Sequence, residues 1–166
     1  MRDRVRMIGP VGNGEDLRGL MRFVPHPVAV MAVRHDRDTM GVTVSSLVSL
    51  SLEPPLIGVS IGKQASIYEL LRNAGAFSLS VLGDGQEDLA RRFASGHPPL
   101  VHWSGVETTE GRHAPLVAGA LGWIEARTIA EHDAGDHTFF IAAVESVVRG
   151  TARSALMYRD RSYHAL

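Results

Sequence analysis

The chain has 166 residues, 45% of them hydrophobic and 21% charged, with 17 basic against 18 acidic side chains. That balance fits one soluble globular domain with a substantial core of its own, and a net charge near zero argues against nucleic acid or an anionic membrane as the main partner. The absence of cysteine excludes disulfides, thiolate catalysis and Cys-ligated metals; no apolar run is long enough for a bilayer and no signal-peptide pattern opens the chain, so a cytoplasmic protein is expected.

Residues 1–13 read as an irregular arm broken by Gly9, Pro10, Gly12 and Asn13, and residues 14–166 as a single domain. Glu15 to Phe23 reads as a short helix with Leu17, Leu20 and Met21 on one side, ended by Pro25-His26-Pro27. Val28 to Val33 is a continuous apolar run, as expected of a strand buried on both faces. His35 to Thr39 is a charged turn.

The stretch Gly41 to Pro55, GVTVSSLVSLSLEPP, carries the most information. Thr43, Ser45, Ser49 and Ser51 alternate with Val42, Val44, Val48, Leu50 and Leu52, so one strand face is expected to bury Val and Leu while the other shows hydroxyls. The phase breaks at Ser46-Leu47, as at a bulge or tight bend. Pro54-Pro55 stops the strand, and Leu56 to Ile61 begins another with Ile57, Val59 and Ile61 on one face.

Ser66 to Ala74 is expected to be a helix: Ser66 and Glu69 have capping-box spacing, Ile67, Leu70, Leu71 and Ala74 form a stripe, and Gly75 stops it. Ala76 to Leu82 alternates strictly. Gly85 to Ser95 fits a second short helix capped by Asp84, with Leu89 and Phe93 one turn apart. His97 to Ala118 reads as irregular. Leu121 to Glu131 and Thr138 to Arg149 read as strands joined by a polar connection, His132 to His137. Six or seven strands with two or three short helices favour a closed β-barrel over a doubly wound sheet.

A hydroxyl row at a kinked strand suits a phosphate or a heteroaromatic edge. Gly62-Lys63-Gln64-Ala65-Ser66 opens the following helix, where free N–H groups, a cation and a hydroxyl could meet an anion. Solvent-facing serines, an exposed lysine and an ordinary N-cap would leave the same pattern. The eight histidines have no zinc-like spacing, and no P-loop, GxGxxG or Gly-x-Ser-x-Gly elbow is present.

The anchors GVTVSSLVSLSLEPPLIGVSI, the Ser66 segment, FSLSVLGDGQEDLARRFA, Pro115-Leu116, GDHTFFIAAVESV and the closing Tyr158 to Tyr163 occur in an order that resembles the flavin reductase family of FMN-binding split barrels. These are the reductase components of two-component flavin-dependent monooxygenases. The resemblance implies a mainly β, six- to seven-stranded antiparallel split barrel, NAD(P)H:flavin oxidoreductase activity with FMN or FAD, NADH or NADPH as hydride donor, and a homodimer that passes reduced flavin to a partner monooxygenase. It implies flavin held by Thr43, Val44, Ser45 and Ser46 along the ring and ribityl chain, with Ser60, Lys63 and Ser66 near the phosphate. His137 would position the nicotinamide, Asp136 would orient the turn, and Phe93 and Ala94 would pack at the rim. A flavin carrier or sensor without turnover, and a split-barrel oxidase of the pyridoxine phosphate oxidase type, stay open beside it.

Overall fold

The computed structural model describes residues 12–166, so the expected arm lies outside the described residues apart from Gly12 and Asn13. Asn13 opens the first helix, its side-chain carbonyl accepting from the Asp16 N–H at 2.8 Å. The first half contains α1 (Gly14–Met21), β1 (His26–Pro27), β2 (Ala29–His35), β3 (Asp38–Val44), β4 (Val48–Leu52), β5 (Pro55–Gly62), α2 (Tyr68–Ala74) and β6 (Ala76–Val81). The second half contains α3 (Glu87–Ala94), α4 (Pro99–Trp103), β7 (Thr108–Thr109), β8 (Leu116–Val117), β9 (Gly122–Ala134), β10 (His137–Arg149), β11 (Leu156–Arg159) and β12 (Ser162–Ala165). Among the described residues no helix is long and apolar enough to cross a membrane.

The main sheet is antiparallel and has seven strands in the order β3-β2-β6-β9-β10-β5-β4. Its two edge strands, β3 and β4, are consecutive in the chain and joined only by Ser45, Ser46 and Leu47. A connection that short reaches at most about 14 Å, so the sheet curls until its edges approach. No ladder links those edges. The barrel expected to be closed is therefore split along one line, and the split falls at the predicted break in the hydroxyl strand.

Burial follows from this curl. Ala29, Met31 and Val33 of β2 face the barrel core with Val44, Ile57, Val59, Phe77, Leu79 and Phe140, while Val28 and Val30 face a second cluster containing Ala90 and Phe93 of α3. The apolar run of β2 is continuous because both of its faces are covered. Gly41 lets α3 approach: a Cβ there would lie 2.6 Å from the Phe93 ring and 2.9 Å from Trp103. Beyond the split the expected burial fails. Val48, Leu50 and Leu52 are 42%, 43% and 87% exposed, because β4 is an edge strand whose pairing with β5 slips between Ser49 and Ser51.

Several local expectations are corrected. The Ser66 capping box does not form: Ile67 occupies the N-cap position without a side-chain cap, and its burial in the main core sets where α2 begins. Asp84 does not cap α3; Gln86 precedes that helix, its amide accepting from the Gly83 N–H at 2.9 Å and donating to the Ala118 C=O at 2.8 Å. Segment 97–118 is not wholly irregular, since it contains α4, β7 and β8, which raises the helix count among the described residues to four. It is held to β6 by serines buried on that strand. The Ser78 hydroxyl accepts from the Ala114 N–H at 3.1 Å, and the Ser80 hydroxyl from the Val117 N–H at 2.9 Å. The connection expected over His132 to His137 shrinks to Gly135-Asp136, with Ala134 paired to His137. Gly135 has φ 68°, which suits glycine at the first central position of a two-residue hairpin.

Candidate functional site

A cleft of about 310 Å³ opens at the split. One wall is the end of β3 and its continuation, Val42 to Ser46; the other is Ser60 to Gly62 at the end of β5, with Ala65, Ile67 and His137 completing it. Six predicted residues meet there: Thr43, Val44, Ser45, Ser46, Ser60 and His137. Val42, Ile61, Gly62, Ala65 and Ile67 also line it, and none of them was among the residues expected to hold the flavin. The glycine ending an apolar strand was the available signal, since a side chain there would occupy space next to His137, 3.6 Å from Nε2.

Two of the hydroxyls are engaged in holding the walls. Thr43 Oγ1 donates to the Ala90 C=O at 2.7 Å and ties β3 to α3. Ser46 Oγ donates to the Ser60 C=O at 2.9 Å and accepts from the Ser60 N–H at 3.0 Å. β4 pairs with β5 only as far as Gly58, so this hydroxyl stands in for the missing strand across the split. Ser45 is exposed and Ser60 half-buried, and their hydroxyls make no hydrogen bond among the described residues. With half-buried Val42 and Ala65 alongside, the cleft offers an apolar surface with a few convergent polar groups, which is how sites for heteroaromatic ligands are built.

His137 stands at the mouth, about half exposed, with Nδ1 2.7 Å from Asp136 Oδ1. That hydrogen bond, reinforced by the charge of the imidazolium, holds the Asp136 carboxyl below its ordinary range. It also fixes which ring nitrogen faces away from the cleft, leaving Nε2 towards Gly62. Lys63 is tied to the same hairpin: its N–H donates to the Asp136 C=O at 2.9 Å, and Nζ lies 3.1 Å from Asp133 Oδ1. Ser66 is exposed and caps nothing. Phe93 is buried behind β3, edge-on to Trp103 with ring centroids 4.7 Å apart, and not at the rim. Ala94 lines a neighbouring groove of about 190 Å³ that shares Thr43 and Ser45 with the main cleft.

The fold and cleft define a split-barrel protein with a heteroaromatic-sized site between its two open edges. The family model described as flavin reductase like domain matches residues 21–166, and the chain belongs to that family. It is 37% identical over 139 residues to the reductase component of 4-hydroxyphenylacetate 3-monooxygenase from Thermus thermophilus, covering 84% of this chain and 87% of that one. It is 35% identical over 146 residues to an NADH-dependent FAD reductase from Streptomyces globisporus, covering 86% and 80%. Among solved structures, the flavin reductase component of a bacterial two-component tryptophan halogenase superposes with TM-score 0.86 at 31% identity, covering 93% of this chain and 98% of that one. The Streptomyces globisporus NADH:FAD oxidoreductase, solved with NAD and FAD fragments, gives 0.85 at 30% identity, covering 94% and 96%.

Proposed function

We propose that this protein is an NAD(P)H:flavin oxidoreductase that reduces FMN or FAD in the cleft at the split and supplies the reduced flavin to a partner monooxygenase. The observation that carries the reading is the cleft itself: an apolar strip beside the exposed Ser45 and half-buried Ser60 hydroxyls, with His137 at its mouth. A flavin held there would supply the hydride-accepting chemistry. The chain's own residues bind and orient. Half-buried Val42 and Ala65 offer the ring an apolar surface, and the backbone of Ser45 and Ser46 runs along one edge. His137, held by Asp136, positions the nicotinamide. The NADH-dependent relatives make NADH the expected donor.

Purified protein mixed with each flavin and nicotinamide pair should oxidise many equivalents of NADH, followed by absorbance. Tight flavin binding without repeated turnover would favour the carrier reading and refute this one.

A homodimer belongs to the same proposal. Phe139, Ile141 and Ala143 alternate with the buried residues of β10 and point outward. They adjoin Leu56 and Gly58 of β5, and the Phe139 ring lies where a Gly58 side chain would be. Such an apolar outer face suits a second copy. Register places Ser60 and His137 on that face too, so the second copy would close over the cleft mouth.

A further inference from the structure

We infer that α4 and the start of β3 form a second binding site, for a small aromatic monocarboxylate that acts as an effector of the flavin cleft; the effector role rests on that cleft being the flavin site. A depression of about 530 Å³ lies there. Leu100 and Trp103 of α4 line it with Pro99, Val106 and Pro115. Leu100 and Trp103 are three residues apart and so share one helix face. Leu100 is 84% exposed and Trp103 half-buried, so a ligand would cover apolar surface that nothing in the chain covers. An indole flanked by prolines and aliphatic side chains suits a flat ring.

Charge on the rim narrows the ligand further. Arg37 in the β2–β3 turn and Asp38 at the start of β3 are both exposed and line the depression. Neither forms a salt bridge among the described residues, whereas neighbouring Arg34 is taken up by Glu110. The Arg37 guanidinium can pair with one carboxylate. Asp38 beside it opposes a phosphate or any other multiply charged anion. One ring carrying one carboxylate meets both conditions.

The same tryptophan connects this site to the cleft. Thr39, Gly41 and Thr43 alternate along one face of β3. Thr39 lines the depression, Gly41 lies under Phe93 and Trp103, and Thr43 lines the cleft. The Trp103 ring stands edge-on to Phe93, and Phe93 is one turn of α3 from Ala90, whose C=O accepts the Thr43 hydroxyl at 2.7 Å. The Trp103 indole N–H is buried without an acceptor among the described residues, so no directional bond fixes the ring. A ligand that displaces Trp103 therefore pushes on Phe93, α3 and Thr43 in turn, because close-packed side chains transmit strain. The path runs about 13 Å along β3, four residues of strand.

Tryptophan emission titrated with benzoate tests the site, and flavin titrations without and with saturating benzoate test the coupling. Benzoate should change the emission saturably, Trp103→Phe should abolish that change, and Trp123→Phe should keep it. Arg37→Gln should weaken benzoate about fivefold or more, the scale of a lost charge-assisted contact. Arg37→Lys should recover part of the loss. Benzyl alcohol, which keeps the ring, and cyclohexanecarboxylate, which keeps the charge, should each bind more weakly than benzoate. Saturating benzoate should shift the flavin dissociation constant about threefold or more, and saturating flavin should shift benzoate by the same factor, since coupling is reciprocal. No saturable change up to about 10 mM benzoate, or equal affinity in Arg37→Gln, would overturn the site. An unchanged flavin constant at saturating benzoate would overturn the effector role. A protein that binds benzoate but quenches no flavin fluorescence would overturn the flavin reading and the effector role with it, and leave the site standing.

Discussion

Replacing Ser46 by alanine separates two roles that the sequence alone merges, ligand and strut. The structure commits this hydroxyl to both peptide groups of Ser60, at 2.9 and 3.0 Å. Each bond is worth about 1 kcal/mol, and both serines are only half-buried, so water reaching the freed groups lowers the sum to about 1–2 kcal/mol. In a domain of this size each kcal/mol moves the thermal midpoint by about 2–4 °C, so a fall of about 2–8 °C is expected. Urea denaturation should show the same loss at unchanged m, since the surface exposed on unfolding stays the same. Ser45→Ala is the control: it should leave the midpoint unchanged, because its hydroxyl holds no wall. The reasoning fails if Ser46→Ala keeps its full stability while losing flavin affinity, since the hydroxyl would then be a ligand and the split would be held by something else.

His137→Ala should raise the KM for NADH several-fold while the flavin dissociation constant stays within about twofold, measured by steady-state kinetics and fluorescence titration; equal loss of both would refute its positioning role. The segment carrying His113 is fastened by His113 Nε2 to Glu145 Oε2 at 2.5 Å, with Arg127 on the other carboxylate oxygen at 3.0 Å. The His113 bond, and Arg127 behind it, keep the Glu145 carboxyl below its ordinary value of 4.5 against the opposing pull of burial. Its stabilising contribution is therefore present above that value and lost as pH falls through the lowered one, so Glu145→Gln should flatten the acid limb of stability against pH. Sedimentation should give twice the monomer mass, and Ile141→Glu on the outer face should shift it towards one; a wild-type monomer would remove the dimer.

Much of the fold was legible because the informative segments obey local rules. The apolar run at β2, the hydroxyl alternation up to Val44 and the Gly75 helix stop each reflect a periodicity or a backbone preference that neighbouring residues state by themselves. The break at Ser46-Leu47 was visible as a phase error, and it is the split. What failed depended on distant partners. Ser66 and Asp84 have capping-box spacing, but burial of Ile67 and the bridging amide of Gln86 decide where those helices start. Val48, Leu50 and Leu52 read as a buried face, yet no periodicity says that a strand will lie at an edge. Within the cleft, Thr43 and Ser46 stood out by their hydroxyls beside the phase break, but the sequence could not say that those hydroxyls were engaged elsewhere, because Ser60 and Ala90 come close only in the folded sheet.

The two walls of the cleft also belong to different halves of the assembly process. β3 reaches its place through β2, which must pair with β6, while β5 must find β10 about half the chain away. Contacts of such sequence separation form late, after the cost of closing large loops has been met. A chain with only one of those pairings has one wall and nothing to grip a ligand. Flavin that binds only the finished barrel would stabilise it by about 2.7 kcal/mol at a free concentration a hundredfold above its dissociation constant.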